Sequence, residues 1–296
     1  MCQQEKLGLV IPLKNMKLKV SSSVINFREK AERIWKLQRY VSPRDIFKPV
    51  VFFGMYHYLD YLHFILHRGR KVIFWCGSDI LNLTPFWAKR FKRGKHYCEN
   101  KIEQDKLFKL EIKAQVSSSF LEDINDFPIT YKWQERPQVF LTTHINREYE
   151  YGFNIVLDIA KKVPECDFHF YGTGRMTLAY KSAYKSGTSI LARPGGRIIP
   201  KNVFFHGKVS NEQFNEDIKY YHCGLRLNEF DGCSEIMVKS ILLGQYPITR
   251  IKYPMVDSYE TEEELIRLLI GLKDKVKPNY ATRQWWINSL NNYEEF

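Results

Sequence analysis

Hydrophobic and polar positions along the chain follow two rhythms. Short apolar runs bounded by glycine, proline or polar turns read as buried strands, and apolar residues three and four apart read as helices packed on one face. The run "PVVFFGMYHYLDYLHFILHRGRKVIFW" predicts a strand over Val50–Phe53, a turn at Gly54, a helix over Tyr56–His67, a turn at Gly69 and a strand over Val72–Trp75. Strand, helix, strand in that order is a βαβ unit, whose strands lie parallel. Upstream, apolar residues among charges predict a helix over residues 24–40, ended by "SPRD". Downstream, "FWAKRFKRGKHY" is a basic segment interleaved with aromatics, and "NKIEQDKLFKL" reads as another helix.

A second series begins near Gln138. "QVFLTTH" is a strand, "YGFNIVLDIAKKVP" a helix ended by Pro164, and "DFHFYGTG" a strand running into a glycine loop. "NVFFHGKV" is a further strand, "SNEQFNEDIKYY" a serine-capped helix and "CGLRLN" another strand. "YPMVDSY" and the helix "TEEELIRLLIGLKDKV" follow. The two series meet near Pro128 and Pro137. The expected fold is α/β, two doubly wound Rossmann-like domains facing a cleft. Their expected limits are residues 1–134 and 135–280, with a terminal helix over 281–296 crossing back to the first domain. Trp285 and Trp286 on that helix read as packing.

With 296 residues the chain is long enough for two domains, and 44% hydrophobic content excludes wholesale disorder. The six cysteines (Cys2, Cys76, Cys98, Cys166, Cys223, Cys233) form no CxxC pair, which points to reduced thiols and an intracellular protein. No uncharged apolar run reaches membrane-span length and no signal-peptide profile opens the chain, so a cytoplasmic location is expected. Attachment to the inner membrane face is compatible with it. Charge changes the picture more. Residues 1–100 hold 19 Lys and Arg against 7 Asp and Glu, whereas the remainder holds 26 of each, so the whole net charge of +12 lies in the first third. Such asymmetry suggests a polyanionic partner for residues 1–100, either an anionic membrane or a nucleic acid, with a solvated basic face as the plain alternative.

Candidate chemistry concentrates in "NEFDGCSEIMVKSILLGQYPIT", Asn228 to Thr249. The strand "CGLRLN" delivers a turn-like acidic loop to a helix starting near Ser234. A helix N-terminus at the carboxyl edge of a parallel sheet offers free amides to an anion. Gly232 allows close approach of a ligand, Asp231 can accept hydrogen bonds from sugar hydroxyls, and Lys239 lies about one and a half turns inside the helix. The plain alternative is that Asp231 and Ser234 merely cap the helix. His63 and His67 have a metal-compatible spacing but no glutamate between them and no third ligand, so no metal is expected. "YGTGR" is only a fragment of a dinucleotide fingerprint. Trp87, Phe91 and the cations around them suit a membrane surface and a phosphate backbone alike.

The order "HFYGTG … NVFFHGKVSNEQF … GLRLNEFDG … VKSILLGQYPI" resembles the C-terminal domain of retaining GT-B glycosyltransferases, in particular glycosyltransferase family four, over roughly residues 138–272. "RKVIFWCGSDIL" is more weakly similar to the family's N-domain loop that faces the sugar. The resemblance implies metal-independent hexosyl transfer with retention from a nucleotide sugar, UDP- or GDP-linked, with no other cofactor. The leaving phosphate would take the acceptor proton, so that no protein nucleophile is needed. It implies catalytic roles for Asp231 and Asp79, and donor contacts from Gly232, Cys233, Ser234, Gly172 and Gly174. Gly54, Tyr56, Gly77 and Ser78 are the acceptor-side candidates, with Lys89, Arg90, Lys92 and Arg93 added by the charge reading. Three positions depart from the family pattern. Lys239 replaces a ribose-binding glutamate, and an ammonium has three donors and no acceptor, so it suits a phosphate instead. Tyr151 replaces a diphosphate-binding lysine, leaving Arg147 or Arg175 to supply that charge. Cys76 stands where many relatives carry histidine. The expected acceptor is lipid-linked or a polysaccharide at a membrane surface. The alternatives are a phage-type enzyme glycosylating a modified DNA base and a catalytically decayed binding module.

Overall fold

The computed structural model describes residues 15–144, 151–173 and 199–292. The chain divides into two compact units. Unit 1 comprises residues up to Asp126, Phe230–Cys233 and the chain from Ile287 on; unit 2 comprises Phe127–Glu229 and Ser234–Trp286.

Unit 1 is built on a parallel sheet of six strands: β1 (Lys17–Val20), β2 (Gln38–Arg39), β3 (Val50–Phe53), β4 (Lys71–Phe74), β5 (Lys95–Cys98) and β6 (Ala114–Val116), in the order β2-β1-β3-β4-β5-β6. Helices α1 (Arg28–Ile34), α2 (Tyr58–Leu66), α3 (Pro85–Phe91) and α4 (Lys101–Lys109) complete it. The centre reads "VVFF" and "KVIFW" because both faces of β3 and β4 are covered. Successive side chains point to opposite faces. Phe52 therefore packs with Phe64, Trp75 and Phe91, while Val51 and Phe53 pack with Leu18, Ala31 and Phe74.

The helix expected over residues 24–40 is shorter. A 3-10 segment (Ser22–Phe27) precedes α1, and Lys36 then adopts φ 53°, which turns the chain so that Leu37 is buried and Gln38–Arg39 pair with β1. Strands β1, β2, β5 and β6 add to the two predicted here. Lysines interrupt the apolar pattern of β1, β4 and β5 without leaving the sheet. The Lys71 ammonium lies over the Phe64 ring (4.6 Å to the centroid) and donates to the Phe64 carbonyl (2.8 Å), its stem covering apolar surface.

Unit 2 holds a second parallel sheet: β7 (Gln138–His144), β8 (Asp167–Thr173), β9 (Val203–Gly207), β10 (Cys223–Arg226), β11 (Ile248–Thr249) and β12 (Asp257–Ser258), in the order β12-β11-β10-β7-β8-β9. Its helices are α5 (Phe153–Lys162), α6 (Asn211–Asp217), α7 (Glu235–Leu242) and α8 (Glu262–Gly271). Helix α9 (Tyr280–Asn292) ends the described chain. Ser210 caps α6, its hydroxyl accepting from the Gln213 amide (3.1 Å). Trp286 is fully buried and donates its indole N–H to the Pro254 carbonyl at 3.0 Å, a packing role.

Asn202 joins α5 to the sheet. Its side-chain amide faces the carbonyls of Ala160 (3.0 Å), Val163 (3.2 Å) and Cys166 (2.8 Å), at the end of α5 and in the turn beyond it. Helix ends leave such carbonyls without intrahelical partners. Asn202→Ala strands them in a buried place and is expected to cost about 2 kcal/mol. Urea denaturation checks this, as a lowered midpoint with an unchanged slope.

Candidate functional site

In a wholly parallel sheet every strand ends at the same edge, and the loops there are the natural ligand-binding positions. In unit 2 the strand order reverses at β7, with β8 and β9 on one side and β10 to β12 on the other. The crevice outside β7 and β10 is therefore the candidate ligand position. Gly152 opens α5 there with φ +72°, and a Cβ on it would fall on the side chain of Leu227, the residue after β10. Gly172, near the end of β8, has φ +119°, and a Cβ would fall on the Thr143 carbonyl. Both positions require glycine. Helix α5 begins at this edge with no acid in its first turn, and the positive end of a helix dipole favours an anion.

Arg226, the last residue of β10, places its guanidinium 4.7 Å from the centroid of the Tyr151 ring, just before α5. A cation thus stands beside the position where Tyr151 replaces the expected lysine. Lys239 sits differently from an anion-binding cation. It is buried, with its ammonium 2.8 Å from Asn215 Oδ1 and 2.8 Å from Glu235 Oε1, between the Phe127 and Phe214 rings. Contact with a donor phosphate would require Asn215 and Glu235 to give way. Ser234 holds the cap position of α7 without a side-chain capping bond. Arg147, Gly174 and Arg175 lie outside the described residues.

The carboxyl edge of unit 1 gathers most of the remaining candidates. Gly54 and Gly77 follow β3 and β4 with φ +75° and +88°. Asp79 is fully buried and accepts from the amides of Met55 (2.9 Å) and Cys76 (3.1 Å), so it ties the two loops together. Tyr56 donates to the Cys76 carbonyl at 2.6 Å. Ser78 begins the short 3-10 turn Ser78–Asn82. Phe230–Cys233 belongs to this unit: Asn100 Nδ2 donates to the Asp231 carbonyl (2.7 Å), the Ser118 hydroxyl donates to Cys233 Sγ (3.4 Å), and the Lys106 ammonium covers the Phe230 ring (4.1 Å). The Gly232 amide donates to Asp231 Oδ1 at 3.1 Å, while the Cys233 amide and the Ser119 hydroxyl donate to the Glu99 carboxylate. A Cβ on Gly232 would fall on Glu99 Oε2. The acceptor-side cations Lys89, Arg90, Lys92 and Arg93 lie on and just after α3, all exposed, with Lys92 paired to Glu111.

Sequence reasoning missed Glu99, Asn100, Glu103 and Arg226. The signal for the first three is "CENKIE": Asn100 caps α4, accepting from the Glu103 amide (3.0 Å), and Glu103 reaches back to the Glu99 amide (2.7 Å). That pattern marks a helix start immediately after a strand, hence a sheet edge. Glu103 Oε1 is buried without a hydrogen-bond partner. Burial raises the Asp79 carboxyl to about 7 against its backbone hydrogen bonds. Burial also lifts Glu99 and Glu103 well above the carboxylate range, helped at Glu99 by Glu103 and at Glu103 by Asp79.

The fold is similar to that of solved glycosyl-transfer proteins. The structure of Anabaena HepE in complex with UDP-glucose matches with a TM-score of 0.59 at 11% identity, covering 91% of this chain and 85% of that one. S. aureus TarM in complex with fondaparinux, α-GlcNAc-glycerol and UDP matches with a TM-score of 0.53 at 12% identity, covering 82% of this chain and 51% of that one. This chain spans about half the length of TarM. No protein-family model matches the sequence, and no curated protein matches it. At these identities the likeness carries the fold, which is of the GT-B class with two Rossmann-like parallel-sheet units.

Asp79 carries a pH prediction. Its folded value lies above its ordinary 3.8, so its contribution to stability is complete below about pH 3.8 and is lost as pH rises through about 7. Buried His96, His169 and His222, pushed down to about 4 by desolvation, act in the opposite direction, losing stability as pH falls. The readout is therefore a difference. Between pH 5 and 8, Asp79→Asn should gain melting temperature relative to the parent as pH rises. A constant difference would mean that Asp79 does not titrate in this range.

Proposed function

We propose that the protein is a glycosyltransferase that moves a hexose from a nucleoside-diphosphate sugar, UDP-linked foremost, to an acceptor hydroxyl with retention. The observation that carries the reading is the switch point of unit 2. There a left-handed glycine opens a ten-residue helix beside the end of β10, and Arg226 stands next to its first turn. The positive end of a helix dipole, a close-approach backbone and a guanidinium together suit a diphosphate. The fold is one in which HepE has been seen with UDP-glucose, which supports the choice of donor.

In this reading Arg226 supplies the charge that Tyr151 does not, and Gly172 leaves room for the nucleotide end of the donor. Asp231 orients sugar hydroxyls. The C1–O bond to the β-phosphate breaks as the C1–O bond to the acceptor forms on the same face, and the acceptor proton passes to the departing phosphate oxygen. The protein's contribution is placement and charge stabilisation. The acceptor, lipid-linked or a polysaccharide, approaches the loops after β3 and β4 in unit 1, where Gly54, Tyr56, Gly77 and Asp79 lie.

A second reading is a sugar-nucleotide binder that has kept the fold without turnover. It is favoured by Lys239, whose ammonium is engaged by Glu235 and Asn215 where the family's pattern has a ribose-binding glutamate.

Binding and turnover separate the two. UDP and UDP-sugars at about a hundred times their Kd should stabilise the protein by about 2.7 kcal/mol, read as a raised melting temperature. Arg226→Gln should weaken UDP binding about tenfold, the loss of roughly one charge-assisted contact. Unchanged affinity would remove Arg226 from the site. Asp231→Ala should abolish hexose transfer with at most about 2 kcal/mol lost from folding. Tight UDP binding without hydrolysis or transfer would favour the binder.

A further inference from the structure

Helix α2, "YLDYLHFIL", is apolar apart from Asp60 and His63, and the His63 ring Nδ1 lies 2.7 Å from the Leu59 carbonyl. Tyr61 and Phe64 turn inward, their rings 5.1 Å and 4.9 Å from that of Phe91. Leu59, Leu62 and Leu66, at spacings of three and four, form a second stripe that turns outward, with Leu59 64% and Leu66 56% exposed. Beside it, Tyr58 (60% exposed) packs its ring 5.6 Å from Trp87, which lies 5.1 Å from Phe86 (55% exposed). A helix on a protein surface ordinarily turns polar residues outward, and a contiguous exposed apolar patch marks a place of contact.

Cations frame this face. Arg90 lies 3.6 Å from the Phe86 ring centroid. Arg68 and Arg93, from the segments after α2 and α3, sit close enough to Lys71 that their charges, after burial, lower its ammonium below its ordinary value. From Leu81 to Lys95 the sequence has five cations and no acid, and of the five Lys92 is paired with Glu111. The acid of α2, Asp60, is buried and accepts the Ser21 hydroxyl at 2.6 Å. Like charges gathered around an apolar stripe repel one another until an anionic surface neutralises them.

We propose that the outer face of α2 and α3 docks on a membrane leaflet containing anionic phospholipid. A second copy of the chain would cover the leucines but set cation against cation. A nucleic acid would neutralise the cations but leave the leucines in water. A bilayer satisfies both, with apolar side chains at the acyl boundary and Arg and Lys stems reaching to the phosphates. Helix α2 is about 13 Å long and lies in the plane of the interface. Among the described residues no helix is long and apolar enough to cross a membrane. The proposal rests on the glycosyltransferase reading only for its purpose, delivery of a lipid-linked acceptor, because docking itself needs no donor.

The test is flotation of the full chain, without nucleotide, on vesicles of mixed phosphatidylglycerol and phosphatidylcholine, with pure phosphatidylcholine as control. The parent should float with the mixed vesicles only. Joint Leu59→Ser and Leu66→Ser should lower affinity about tenfold and leave its salt dependence intact. Joint Arg68→Gln, Arg90→Gln and Arg93→Gln should lower it about a hundredfold and flatten the salt response. Both variants should keep the parent's melting temperature and UDP affinity, which separates failure of docking from failure of the donor reading. The proposal is overturned if the parent floats with neither vesicle, or if both variants float as the parent does. A dimer broken by the leucine pair without vesicle binding overturns it too, as does preference for duplex DNA at equal salt.

Discussion

Every strand in both sheets runs parallel to its neighbours, and the rest of the molecule follows from that constraint. Parallel strands need crossover connections, so helices cover both faces and the central strands become continuous apolar runs. All strand ends then fall on one edge of each sheet. The glycines with positive φ at Gly54, Gly77, Gly152 and Gly172 all follow or end strands at such an edge, where the chain must turn sharply without a side chain in the way. Chemistry is confined there because the remainder of each sheet is sealed.

The parts of this plan that were legible were those where burial and sequence agree. Strands β7 and β8 have seven residues each and punctuation at both ends, and β3 with β4 reads as near-unbroken hydrophobic sequence. Strands β1 and β5 are four residues long and carry lysines, which interrupt the apolar run that would mark a buried strand. The long first helix was over-extended because a left-handed lysine, Lys36, gives no local signal of the turn it makes.

Of the candidate site, the sequence marks residue types and leaves their spatial partners hidden. Gly172 must be glycine because its backbone is left-handed and a Cβ would fall on the Thr143 carbonyl, whereas at Gly232 a Cβ would meet the end of the Glu99 side chain. Neither neighbour is visible in the local sequence. Asn100 meets Asp231 across 131 residues of sequence, a separation that no local pattern encodes. Lys239 illustrates the converse. In "EIMVKSIL" it reads as a charge available to a ligand, yet Glu235 one turn earlier pairs with that charge and Asn215 on another helix accepts its hydrogen bond in the interior. A buried lysine with both charge and hydrogen bonds satisfied is costly to disturb, since removing one partner leaves an uncompensated ion.

The margins of the sheets have a consequence of their own. Strand β2 and strand β12 have two residues each and β6 has three, so these rims expose very few free amides. The fourth rim, β9, has five residues, but its pairing slips between Phe170 and Tyr171, where Phe205 and Gly207 take successive partners and His206 is passed over. Such an irregularity twists the outer strand away from flatness. A long flat rim is what a foreign strand needs for zipper-like addition, and none of the four described rims offers one. A chain rich in β-forming segments such as "VVFF" and "NVFFHG" is thereby protected against fibrillar growth by its shape, independently of its positive charge.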